Sequence, residues 1–222
     1  MNSDVVQELD ELVLFLENGG DRIEFFNMFR NSKLSCIPYY FQGAGEQHDL
    51  TFKLLYELGG VSIPAAVALA MHLYLLGSIG SYPFENDGVS ASARSWFLEQ
   101  AVKEQWIVAI TGSVRTHKSS DDGGIRADKT TDGYVVNGYA GFMSLYDVAD
   151  IAVFIAPVSD DLSAIFLVPL KDNDAITGES SPFGELMSFS GTKRIKFENL
   201  FVASQNVFVL EENSEVSDVF LY

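Results

Sequence analysis

Cysteine is nearly absent from this chain: Cys36 is the one example in 222 residues. That excludes an intramolecular disulfide and a cysteine-based zinc site, and it fits a reducing cytoplasm. Positive charge is also scarce, with 14 basic side chains against 31 acidic ones and a formal charge of −17 at pH 7. A chain so charged repels phosphate backbones and anionic lipid surfaces, which argues against a general nucleic-acid or membrane-surface role. Met1 to Leu16 holds Asp4, Glu8, Asp10 and Glu11 and no basic residue, the reverse of a secretory leader, so a cytoplasmic protein is expected. Walker phosphate loops, dinucleotide glycine fingerprints, nucleophile elbows and HExxH zinc motifs are all missing, as are internal repeats and low-complexity segments. The longest apolar run, Val61 to Ile79, is interrupted by Ser62, Pro64, His72 and Gly77 and has no flanking cluster of Lys or Arg. It reads as a buried helix rather than a membrane span, with His72 a hydrogen-bonded core residue.

What is present is ordinary for a globular protein: 47% apolar and 20% charged residues, enough chain for one large or two small domains. Val5, Val6, Leu9, Leu12, Val13 and Leu16 follow helical spacing, and Asn18-Gly19-Gly20 stops the run. A second helix is expected from Asp21 to Phe29 with Asp21 as its cap. Ile37 to Gly45 reads as an aromatic-rich loop broken by Pro38 and three nearby small residues. Helices follow over Leu50–Leu58, Val61–Ile79 and Ser92–Glu104, with Ser81 to Gly88 a loop. At Trp106 the periodicity changes to short β-rich runs: Trp106–Ile110, Gly133–Asn137, Asp150–Ala156, Ala164–Pro169 and Ile195–Val202. The expected class is therefore α+β, an all-helical domain over 1–105 followed by an antiparallel β-barrel or sandwich over 106–222. The acidic stretch from Glu211, ending on Val-Phe-Leu-Tyr, is expected to be covered by something further.

Within the β half, Asp132-Gly133 and Asn137-Gly138 flank Tyr-Val-Val at hairpin spacing and predict a tight meander. Its continuation is expected to put Phe142 and Ser144 on one face of the next extended segment, because strand side chains repeat every second residue. A ring beside a hydroxyl suits a planar cofactor; an ordinary meander with an aromatic core explains the same residues. The segment Thr111 to Ser120 carries Arg115, His117 and Lys118 among hydroxyls, which fits a phosphate-holding loop or a solvated hairpin. Asp121-Asp122 and Asp160-Asp161 read as solvated turn charges.

The order of these pieces resembles the acyl-CoA dehydrogenase family. The resemblance rests on helices first, then Trp-Ile-Val-Ala-Ile-Thr111, the Asp-Gly-Tyr-Val-Val-Asn-Gly stretch, Phe142-Met143-Ser144, Ala149-Asp150, and Lys196 through Phe208. It covers the first two of that family's three domains and implies FAD as cofactor, with Thr111, Gly112, Ser113, Phe142, Met143 and Ser144 at the cofactor. Thr111 would donate to the pyrimidine edge, Phe142 would replace a tryptophan beside the isoalloxazine, and Ser144 would bond near N5. The implied reaction is FAD-linked oxidation of acyl-CoA or another acyl thioester at a CH–CH bond. The family's catalytic carboxylate lies in a third, helical domain, so no catalytic residue and no metal ligand is assigned. A second chain supplying that bundle, or a homo-oligomer, is the expected partner. Departures from the family pattern are Gly112 to Lys118 in place of its glycine-rich loop, Ser188 in place of an arginine, and Ala203 in place of a proline. Two alternatives share the architecture: a non-catalytic scaffold, and a flavin-dependent monooxygenase.

Overall fold

The computed structural model describes residues 3–41, 43–81, 91–111, 124–159, 162–180 and 184–209, and the chain divides into two compact units. The helical unit begins with α1 (Ser3–Glu17), which buries Val5, Leu9 and Leu12 at the predicted spacing. Gly19, at φ +73°, ends it. Asp21 then caps α2 (Arg22–Asn31), accepting from the backbone N–H groups of Ile23 at 2.9 Å and Glu24 at 3.1 Å. Phe25, Phe26 and Phe29 on this helix form the centre of the unit.

The expected loop over Ile37–Gly45 is mostly helical. A 3-10 turn over Lys33–Cys36 leads into α3 (Ile37–Tyr40), and Gly43 caps α4 (Ala44–Val61). Pro38 falls in the first turn of α3, where a missing N–H costs nothing, so it starts a helix instead of breaking one. The last long helices are α5 (Ile63–Ser81) and α6 (Ala91–Lys103). α5 is buried on one face only: Ala65, Ala68, Leu69 and His72 are inaccessible, while Ile63 is 67% exposed. No helix among the described residues is long and apolar enough to cross a membrane. His72 sits in the core as expected, its Nε2 2.8 Å from the Ser35 carbonyl and its ring edge-on to Phe29. A 3-10 segment, Gly184–Ser190, belongs to this unit from Glu185 on although strands flank it in sequence. Phe189 packs on Phe25 and Phe26, and Arg22 Nε donates to the Phe189 carbonyl at 2.6 Å.

The β unit contains β1 (Val108–Thr111), β2 (Arg126–Lys129), β3 (Gly133–Met143), β4 (Ile151–Pro157), β5 (Ser163–Pro169), β6 (Ile176–Ser180), β7 (Lys193–Ala203) and β8 (Val207–Val209). They form two four-stranded sheets, ordered β1-β4-β5-β8 and β2-β3-β7-β6. Of the expected antiparallel barrel or sandwich, no closed barrel occurs among the described residues; the strands form two four-stranded sheets that keep their edges, with antiparallel pairing throughout except for the parallel β1–β4 pair. The sheets meet across rings: Phe154 stacks on Phe166 at 5.2 Å and lies 4.5 Å from Phe197, while Tyr134 meets Phe166 edge-on.

The predicted meander is half present. Thr130 N–H donates to the Gly133 carbonyl at 2.9 Å, closing the β2–β3 hairpin. Asn137-Gly138 is not a turn. It is a bulge inside the single long strand β3, with Gly138 at φ +106° and a register shift against β7 between Val136 and Gly138. Asn137 Oδ1 accepts from the Asn199 N–H of β7 at 2.7 Å, spending on the neighbouring strand the side chain that would have closed a turn.

Candidate functional site

Thr111 ends β1, a strand whose four residues are all buried. It is 3% exposed, and its Oγ1 has no hydrogen-bond partner among the described residues. A buried hydroxyl left unpaired costs about 1–3 kcal/mol, so this position calls for an explanation. β1 is an edge strand of its sheet and runs beside β3 of the other, which brings the Thr111 strand to the strand carrying Phe142.

β3 stops at Met143, so Phe142 and Ser144 do not share a strand face as expected. Leu145 takes φ +67°, and a tight turn closes with Ala149 N–H donating to the Leu145 carbonyl at 2.8 Å. The consequence is a division of roles at the strand end. Phe142 presents its ring outward at 42% exposure, Met143 is fully buried, and Ser144 is 8% exposed inside the turn. Ser144 Oγ lies 2.9 Å from Thr192 Oγ1, which leads into β7 and orients the serine hydroxyl. Thr192 was not legible in the sequence, because the contact joins residues 48 apart. Gly112, Ser113 and the basic Arg115–Lys118 segment lie outside the described residues, as do Asp121-Asp122, Asp160-Asp161, the Ser81–Gly88 loop beyond Ser81, and the stretch from Glu211.

β7 adds residues that sequence reasoning passed over. Arg194 faces Phe142 across the β3–β7 pairing, and its guanidinium sits 4.5 Å from the centre of the Tyr139 ring. Lys196 donates to Glu198 Oε1 at 2.7 Å, and that bond is the main cause of its raised pKa. On the other side of the sheet end, Tyr146 donates its hydroxyl to the Ile176 carbonyl at 2.9 Å and lies against Gly178, where a Cβ would come within 2.5 Å of the ring.

Burial pushes the Cys36 thiol up to about 12, so it is a protonated core group and not a nucleophile. A hollow in the helical unit, lined by Glu8, Glu11, Leu12, Met28, Asn31 and Ser32, contains none of the predicted site residues. Its Glu8 carboxylate already accepts from the Lys33 backbone N–H at 2.9 Å. Among the described residues no cluster of His, Cys, Asp and Glu could hold a metal ion.

A flavin implied by the family resemblance can be tested against this geometry. Thr111 offers a buried hydroxyl with no partner among the described residues, Ser144 a hydroxyl oriented by Thr192 and Phe142 a half-exposed ring, the residue types that the polar edge and flat face of an isoalloxazine would require.

Comparison with known proteins bears on the fold. No protein-family model matches the chain, and no curated protein matches it in sequence. Solved structures do resemble it. Dibenzothiophene monooxygenase TdsC from Paenibacillus sp. A11-2 superposes with a TM-score of 0.73 at 16% identity, over 99% of this chain and 56% of that one. KijD3, in complex with FMN and a dTDP-linked amino-keto sugar, gives 0.69 at 17% identity over 94% and 53%. Acyl-CoA dehydrogenase from Geobacillus kaustophilus gives 0.65 at 17% identity over 98% and 61%. The chain thus has the acyl-CoA dehydrogenase-like fold, and it spans a little over half the length of the structures it resembles.

Proposed function

We propose that this chain supplies the flavin-facing wall of an oxidoreductase with the acyl-CoA dehydrogenase-like fold. The observation that carries the reading is the buried Thr111 hydroxyl without a partner, a feature a pure scaffold has no reason to keep. Thr111 donates to an acceptor on the pyrimidine edge, Ser144 is aimed by Thr192, and Phe142 lies against the ring plane. Donors fixed in a buried setting favour negative charge on the group they face, which is how a protein tunes a cofactor. When bound, a flavin accepts the electrons removed from substrate. Met143, fully buried, closes the wall from the core side, and Gly112 and Ser113 stay candidates on the family resemblance alone. The substrate class favoured by the resemblance is an acyl thioester, oxidised at a CH–CH bond. No residue of this chain is assigned as the base. FAD is the cofactor implied by the resemblance. FMN is named for two of the similar structures, TdsC and KijD3, and enters the test on equal terms.

A monooxygenase is the second reading, favoured by the higher TM-score of TdsC, 0.73 against 0.65 for the dehydrogenase. Titration of the purified chain with FAD and FMN, followed by flavin fluorescence, tests the site. Saturable quenching that weakens in Thr111→Val supports it, and no quenching with either flavin ends it. Dye-coupled oxidation of acyl-CoA under anaerobic conditions then selects the dehydrogenase, and oxygen-dependent turnover selects the monooxygenase.

A further inference from the structure

The residue between Ser144 and Tyr146 is held in an unfavourable backbone state. Leu145 takes φ +67°, where an L side chain crowds its own backbone, and its side chain is fully buried. Glycine and asparagine adopt that conformation readily and leucine does not, so the surrounding fold must keep it there. Val148 and Ala149 donate their N–H groups to the Leu145 carbonyl at 3.0 and 2.8 Å, which closes the turn that follows.

Two pins flank the strained residue, and both stand on the same pair of strands. Ser144 carries the β3–β7 ladder one step further: Met143 pairs with Lys193, and the next residues on each side, Ser144 and Thr192, meet hydroxyl to hydroxyl at 2.9 Å. Tyr146 reaches β6 instead. Its hydroxyl donates to the Ile176 carbonyl at 2.9 Å, and its ring lies so close to Gly178 that a Cβ there would come within 2.5 Å. β6 and β7 pair in antiparallel fashion from Ile176 with Phe197 to Ser180 with Lys193, so the two pins share one frame. Packing alone is served by a phenylalanine at this position. The hydroxyl bond and the missing Cβ do more, because they fix where the ring stops and how it is turned.

We propose that Tyr146, seated on Gly178, is a positioning residue: it keeps Leu145 left-handed and so fixes the direction in which Ser144 presents its hydroxyl to the flavin. The inference rests on the flavin reading above and adds to it a residue that acts through another. A double-mutant cycle in flavin affinity tests it on the full chain, read by fluorescence titration with FMN and FAD. Ser144→Ala weakens binding roughly fivefold in the parent, the loss of one hydrogen bond. In Tyr146→Phe, which keeps the ring and removes its bond, the same Ser144→Ala step changes affinity by less than about twofold, because the hydroxyl is no longer aimed. Thr111→Val, on a different strand, still weakens binding by its full roughly fivefold in the Tyr146→Phe background. Gly178→Ala, which keeps the hydroxyl and displaces the ring, gives the same pattern as Tyr146→Phe. A role in packing alone lowers the melting temperature and leaves the steps additive. Equal effects of Ser144→Ala in the parent and in Tyr146→Phe therefore overturn the proposal while the flavin reading stands. No binding of either flavin to the parent overturns both. A thermal melt of each variant confirms that it is folded.

Discussion

Replacing Thr111 by valine separates a functional hydroxyl from a structural one, because the two give opposite signs in stability. Thr111 is 3% exposed and its Oγ1 has no partner among the described residues. In the ligand-free protein that hydroxyl is desolvated without return, at a cost of about 1–3 kcal/mol. Valine has nearly the same shape and β-branching and suits a strand position, so the substitution removes the cost and leaves packing intact. The ligand-free variant is expected to gain roughly 1 kcal/mol, and a protein of this size then melts about 2–4 °C higher. Flavin affinity moves the other way. Loss of one hydrogen bond of about 1 kcal/mol weakens binding roughly fivefold. Differential scanning calorimetry and flavin fluorescence titration on the same preparations read both numbers. A Thr111→Val protein that melts lower than the parent and binds flavin unchanged would refute the assignment, since the hydroxyl would then be satisfied in the fold and unused by the ligand.

Other expectations concern the scaffold. His72→Leu leaves the buried Ser35 carbonyl without its 2.8 Å partner and should cost about 1–3 kcal/mol in urea denaturation, with flavin affinity unaltered. Gly133→Ala places a methyl group on the Val202 carbonyl of β7 at the end of the β3–β7 pairing, so it should lose about 3 kcal/mol or fail to fold; Gly19→Ala, with open space around it, should cost no more than about 1 kcal/mol from its φ of +73°. Cys36 offers a pH test. Its folded pKa of about 12 lies above the ordinary value of 9.0, so the stabilising contribution is complete below pH 9 and is lost as pH rises toward 12, by about 1.4 kcal/mol per unit. The stability difference between the parent and Cys36→Ala should therefore shrink between pH 9 and 10.5, and the thiol should resist labelling by a disulfide reagent until the protein is unfolded.

The amino-acid order alone determined the elements whose signals are local. Apolar spacing from Val5 to Leu16, the Asp21 cap, the burial of His72 and the change of period after Trp106 all depend on neighbours within a few residues, and each reappears in the fold. Phe142 was visible for the same reason, as a ring near a strand end, whereas Thr111 was singled out through the family resemblance. Tertiary structure decided what depends on distant partners. Asn137-Gly138 has every mark of a turn, yet Asn199 of β7 takes the asparagine side chain and the strand continues. Pro38 begins a helix because the preceding turn presents it at a first-turn position. Phe189 lies between strands in sequence yet packs its ring with Phe25 and Phe26 of the helical unit. The short strands β2, β6 and β8 exist only through pairing, and the contacts Ser144–Thr192 and Tyr139–Arg194 join residues some fifty positions apart. Such contacts are set by register between strands, and register is a property of the assembled sheet, not of any single run of residues.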